Sequence, residues 1–255
     1  FDKTQEVVYL KEISAPTGYL IDTKAQNVTL KIGGTTSKNV TDKAVKAMIT
    51  LSKQDAETGK DAQGDATLEG AVYGLYAREN IVHPDGTTGV VYKKNEQVAT
   101  LTIDKEGQAS VSGLYLGKYY VKELTPPTGY LIDTKEHDID CSYEGDKVAV
   151  VERTALSKET VMKQPFEIIK AANNGKTDAD LLKGVGFSAW LVSDLKVNSD
   201  GSYDFNSAEP VVITADGKTE MFTDEKGYAC SIALPYGTYV VKETTPKHNY
   251  EPVDD

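Results

Sequence analysis

The chain has 255 residues, 39% hydrophobic and 26% charged, with a formal net charge of −11. This is the balance of a soluble globular protein slightly lean in apolar residues, and it disfavours nucleic acid and anionic membranes, which reward Lys/Arg clusters. Two cysteines, Cys141 and Cys230, and three scattered histidines supply neither a disulfide framework nor metal-ligand spacing, and no apolar run of about eighteen residues offers a membrane-spanning helix; no cofactor and no metal are expected.

The opening FDKTQ has neither a signal peptide nor an initiator methionine, and is expected of a segment excised from something longer. It leads into VYLKEISAPTGYLIDT (8–23), a strand-like run that breaks at a proline turn. The phrase returns as YYVKELTPPTGYLIDT (119–134) and as TYVVKETTPKHNYEPVDD (238–255). Its glutamates, Glu12, Glu123 and Glu243, lie 111 and 120 residues apart (123 − 12; 243 − 123). Next come MITLSKQDAETGK (48–60) and LEGAVYGLYA (68–77), matched further on by PFEIIKAANNGK (165–176) and LKGVGFSAWL (182–191). The first of these matches sets Lys53 against Lys170, 117 residues apart (170 − 53). TIDKEGQASVSGLYLGKYYVKE (102–123) aligns without a gap to FTDEKGYACSIALPYGTYVVKE (222–243).

A period of about 110–120 residues fits one domain. The expected organisation is the C-terminal part of a domain in 1–45, a complete domain in 46–156, and a domain lacking its closing strand in 157–255. Turn signals such as HPDGTTG, DKEGQ and NSDG separate short alternating runs, which predicts an all-β fold of tandem antiparallel two-sheet sandwiches. SKETVMKQ (157–164), joining two repeats, is the nearest approach to a helical segment. Gly18 and Gly129, replaced by Asn249 in the last repeat, are expected at a turn that requires positive φ.

Counting by twos places Tyr119, Val121 and Glu123 on one strand face, and Ile49, Leu51 and Lys53 on another. Phe166, Ile168 and Lys170 repeat the second pattern, with Ile169 turned outward. Each full repeat therefore aims a lysine and a glutamate into its core. An unpaired buried charge costs several kcal/mol, about 3–5 where a partner is removed, so the two are expected to meet. An amine beside a carboxyl group, sheltered from water, is a nucleophile next to a proton shuttle.

ITLSKQDAETGK, LEGAVYGLYA and GKYYVKELTPPTGY, in that order, resemble tandem Cna-type B domains, the SpaA-like, prealbumin-like modules of Gram-positive surface proteins and pilins. In such domains a lysine of the first strand attacks an Asn or Asp on the last strand, with the glutamate as catalyst, to form an intramolecular isopeptide bond. The resemblance implies Lys53 with Glu123, and Lys170 with Glu243. The acceptor departs from the pattern: in KVAVVERT (147–154) the position expected to hold Asn or Asp holds Glu152, with Asp138, Asp140 and Asp146 nearby in the sequence on segments less like a closing strand. A buried ion pair without a covalent bond is the competing reading of the middle repeat.

The function this implies is a structural stalk segment of a surface protein or pilin-like adhesin, outside the cell at the bacterial cell wall, with neighbouring repeats of the same polypeptide as partners and no substrate to turn over. The alternative is an adhesin module that binds a host protein or glycan through loops 79–97 and 194–210, which differ most between repeats. The two ends also look complementary: AQNVTLKI (25–32) of one copy is a candidate closing segment for the last repeat of another, with Asn27 as acceptor for Lys170. The simpler expectation is that the polypeptide continues in both directions.

Overall fold

The structure, a computed structural model, describes residues 5–31, 33–59, 61–172 and 181–249. The chain divides into two compact units. The first comprises Phe1–Lys53, Glu69–Pro126 and Ile132–Ser157, and the second Gln54–Leu68, Pro127–Leu131 and Lys158–Asp255.

The first thirteen strands in chain order are β1 (Gln5–Leu10), β2 (Tyr19–Leu20), β3 (Gln26–Lys31), β4 (Lys43–Ala44), β5 (Lys46–Asp55), β6 (Val72–Ala77), β7 (Ile81–Val82), β8 (Val90–Tyr92), β9 (Gln97–Thr102), β10 (Gln108–Leu114), β11 (Gly117–Thr125), β12 (Glu136–Cys141) and β13 (Val150–Glu159). They form a sheet of order β10-β5-β13 and another of order β12-β11-β6-β9. Strict alternation makes the sandwich. Every second residue of β5 is buried, with Ala47, Ile49 and Leu51 fully so, and Ala71, Tyr73, Leu75 and Ala77 on and beside β6 have no exposed surface. Val121, Ile139, Val151 and Ala155 complete one apolar cluster drawn from both sheets. Each large side chain removed from water there contributes about 1.5–3 kcal/mol.

Among the described strands, β5 and β13 do not pair antiparallel. Lys46 N–H donates to the Ala149 carbonyl and Ala56 N–H to that of Glu159, an offset of 103 in both cases (149 − 46; 159 − 56). The same offset at both ends means that β5 and β13 run parallel without a bulge between. In a parallel ladder each residue faces the one between its two bonding partners. Lys53 therefore lies opposite Ser157.

Residues 157–164 are not helical: they hold the end of β13, a lone bridge at Val161 and a two-residue strand at Lys163–Gln164, with Ser157, Glu159 and Val161 buried while Lys158, Thr160 and Met162 are exposed, a period of two. AQNVTLKI is not a closing strand either. Its residues 26–31 form β3, which pairs antiparallel with β1 as β12 pairs with β11, and Asn27 lies opposite Tyr9. Ile32 lies outside the described residues. The reason is register: GYLIDT recurs at an offset of 111 (129 − 18), which superposes 25–32 on the strand that flanks the glutamate strand.

The second unit contains β14 (Lys163–Gln164), β15 (Glu167–Ile169), β16 (Gly186–Leu191), β17 (Lys196–Val197), β18 (Tyr203–Asp204), β19 (Glu220–Phe222), β20 (Tyr228–Cys230), β21 (Leu234–Pro235) and β22 (Tyr239–Thr245). β16 lies between β19 and β22, while β15 pairs with β20 and β14 with β21. Phe187, Ala189, Met221, Ala229 and Leu234 share its core. The candidate binding loops are hairpins, β7–β8 in one and β17–β18 in the other, and Phe205 of the latter meets the Trp190 ring at 4.9 Å.

Gly18, Gly129 and Asn249 have φ of 88°, 83° and 69°, as the turn requires. At the first two, the carbonyl accepts a 2.8 Å hydrogen bond from the segment that follows, from Val45 and Met162 respectively.

Candidate functional site

Lys53 is fixed by its own backbone before its side chain is considered. Its N–H donates to the Gly107 carbonyl at 2.8 Å, and Gly107 closes a turn in which Asp104 Oδ1 accepts from the Glu106 and Gln108 N–H groups. The inward phase of β5 then delivers the amine to the core, where both its side chain and that of Glu123 have 0% exposure. Nζ donates to Glu123 Oε1 at 2.8 Å and to the Tyr73 hydroxyl at 2.9 Å. The Tyr73 hydroxyl in turn donates to Ser157 Oγ at 2.9 Å.

The other glutamate oxygen is equally committed. Glu123 Oε2 accepts the Asp133 N–H at 2.6 Å, and Asp133 in turn holds the Lys135 N–H on Oδ1 and His137 Nε2, at 2.7 Å, on Oδ2. Ser157 Oγ reaches Asp133 Oδ2 at 3.4 Å, which closes a ring of contacts around the amine. Burial pushes the Asp133 carboxyl up, and the hydrogen bonds from Lys135 and His137 outweigh it, leaving it below its ordinary value.

The first glutamate of the sequence repeats this arrangement. Glu12 Oε2 accepts the Asp22 N–H at 2.5 Å, and Asp22 Oδ2 accepts from Gln26 where Asp133 meets His137. Glu12 and Glu123 thus each bind the backbone ten residues downstream with one oxygen, and Glu123 binds the amine with the other.

In the second unit the Lys170 N–H donates to the Gly227 carbonyl at 2.7 Å, the counterpart of the Lys53–Gly107 bond. Lys170 Nζ meets Glu243 Oε2 at 2.6 Å, with 15% and 4% of the two side chains exposed. Phe187 stands opposite Glu243 as Tyr73 stands opposite Glu123, so the hydroxyl relay is missing there.

The structure brings Lys53 to Glu123 and Lys170 to Glu243. It does not bring Glu152 to either pair: Glu152 is on the exposed face of β13, one residue out of phase with buried Val151. Inward phase on that strand belongs to Ala155 and Ser157. Tyr73 and Ser157 were missed in the sequence, although Tyr73 shares the period-two face of Ala71 and Leu75. Asp133 had no such signal, because it acts through its backbone. Among the described residues no group of His, Cys, Asp and Glu is placed to hold a metal. What the arrangement offers is an amine, a carboxylate and a hydroxyl relay, all shielded from water.

A domain family described as "SpaA: Prealbumin-like fold domain" matches residues 47–155 and 167–255. The trypsin-resistant surface T6 protein of Streptococcus pyogenes serotype M6 is 27% identical over 128 residues, 50% of this chain and 20% of that protein. Among solved structures, the Bacillus anthracis TIE protein matches 98% of this chain and 38% of its own at 22% identity and a TM-score of 0.62. The shaft pilin spaA from Lactobacillus rhamnosus GG matches 82% of this chain and 90% of its own at 17% identity and a TM-score of 0.30. The chain therefore spans a fifth of the T6 protein and 38% of the TIE chain. It belongs to the SpaA family of prealbumin-like fold domains, present here twice.

Proposed function

We propose that the chain is a stretch of the stalk of a cell-wall-attached bacterial surface protein or pilin-like adhesin. One observation carries this reading: two tandem domains of one family, each with a lysine–glutamate pair held inside by the same backbone bond to a turn glycine. Such a pair serves the integrity of the domain that encloses it. Among the described residues the Lys53 side chain is fully covered, which shields the amine from an external substrate. In this reading Lys53 and Lys170 are the nucleophile positions, and Glu123 and Glu243 the proton-shuttling carboxyls. Their chemistry ends in at most one bond and does not turn over.

The test is location and geometry on the cell. Immunogold labelling of the encoding bacterium with antibody to this chain is expected to decorate the outside of intact cells, away from the membrane. Label confined to the cytoplasm of permeabilised cells would overturn the stalk reading.

A further inference from the structure

The residue opposite Lys53 on the parallel neighbour strand is Ser157, buried, and joined to the amine through the Tyr73 hydroxyl. We propose that Ser157 is the residue that decides whether Lys53 becomes covalently linked to the last strand, and that, being a serine, it keeps the first unit uncross-linked and extensible under load. The proposal rests on reading Lys53 and Glu123 as a nucleophile and its proton shuttle.

The chemistry is local. To form an amide, the amine needs an acyl carbon within reach, and a leaving group that can depart with a proton. Glu123, at 2.8 Å, is placed to take a proton from the lysine and return it to a leaving group. A hydroxyl on a methylene carbon offers neither acyl carbon nor leaving group. The Glu123 carboxyl does not serve as acyl donor, since it is held on both sides, by the amine through Oε1 and by the Asp133 N–H through Oε2. A side chain one carbonyl longer at the Ser157 position would set its carbon where the serine oxygen now meets Tyr73.

The mechanical consequence follows from the topology. β5 opens the sandwich and β13 closes it, side by side and parallel. Tension entering at the start of β5 and leaving at the end of β13 shears these two strands. Only hydrogen bonds and packing resist it.

Intact mass of the folded chain tests the assignment. The natural chain is expected to weigh what its sequence dictates; a mass lower by one water that Lys53→Met restores to full would overturn the proposal. Ser157→Asn is expected to lose one ammonia: the lysine nitrogen bonds to the carboxamide carbon, the C–NH2 bond breaks, and the departing nitrogen takes its proton from Glu123. Ser157→Asp is expected to lose one water by the same route, and Lys53→Met in either background to restore the full mass. Should one variant fail to give a cooperative thermal transition, the other carries the test. A folded Ser157→Asn or Ser157→Asp chain at full mass would overturn the proposal without touching the stalk reading, which the cell-surface labelling tests separately.

Discussion

The two lysine–glutamate pairs are built on the same backbone plan and end in different states. Around Lys53, β13 closes the sheet, Tyr73 supplies a hydroxyl and both side chains have no exposed surface. Around Lys170, β15 has a single described partner, β20, the tyrosine is replaced by Phe187, and the lysine keeps 15% exposure. Ion-pair distances are 2.8 Å and 2.6 Å, so distance does not separate them. Their surroundings do. A charge fully removed from water depends on its partner more than one that still touches solvent.

Removing the carboxylate gives the largest contrast. Glu123→Ala leaves the Lys53 ammonium buried and is expected to cost the first unit about 3–5 kcal/mol, while Glu243→Ala costs the second about 1–2 kcal/mol. Urea unfolding separates the units, because Trp190, the sole tryptophan, reports the second and near-ultraviolet tyrosine signal is dominated by the first. Equal losses in the two units would remove burial as the distinction.

The backbone anchor reverses the order of sensitivity. Gly107 and Gly227 have φ of 74° and 64°, and an added Cβ would stand 3.1 Å from the Lys53 carbonyl oxygen but 2.4 Å from that of Lys170. A non-glycine residue in this region costs about 1–2 kcal/mol before any clash. Gly227→Ala is therefore expected to destabilise the second unit by about 3 kcal/mol and Gly107→Ala the first by about 1–2 kcal/mol, read from the same unfolding curves.

Tyr73→Phe makes the first site resemble the second. It removes the hydroxyl between Lys53 and Ser157, and thermal unfolding is expected to show a loss of about 1–2 kcal/mol in the first unit. A neutral result would mean that the relay contributes nothing that Phe187 lacks.

Acid provides the finest test. The folded Asp133 carboxyl titrates below the value near 3.9 of an unfolded aspartate, so its contribution to stability is complete above about pH 4 and is lost as pH falls through the folded value. Asp133→Asn is expected to flatten the acid limb of the first unit's stability profile and to leave that of the second unchanged.

The period-two count on β5 and β11 was enough to place Lys53 and Glu123 inside and together, because strand phase is a property of the sequence alone. The acceptor position on β13 rests on the family pattern alone, which points to Glu152, on the exposed face of that strand. The parallel register to β5, which no local pattern encodes, selects Ser157 instead. SKETVMKQ, the nearest approach to a helical segment, has alternating polar residues that carry no hydrophobic period, and its period of two appears only in the burial of Ser157, Glu159 and Val161. The Asp133 contact was invisible in the sequence because its donor is a backbone N–H.

The claim that the first unit is closed without a covalent bond is tested most directly by pulling the natural chain end to end in single-molecule force spectroscopy. Between Lys53 and Ser157 the first unit holds Glu69–Pro126 and Ile132–Ser157, 58 and 26 residues (126 − 68; 157 − 131), which extend to roughly 290 Å when that unit opens. The account predicts an unfolding event that releases this length, and its disappearance in Ser157→Asn. A natural chain in which those residues never extend, at forces that unfold the Trp190-containing unit, would contradict it.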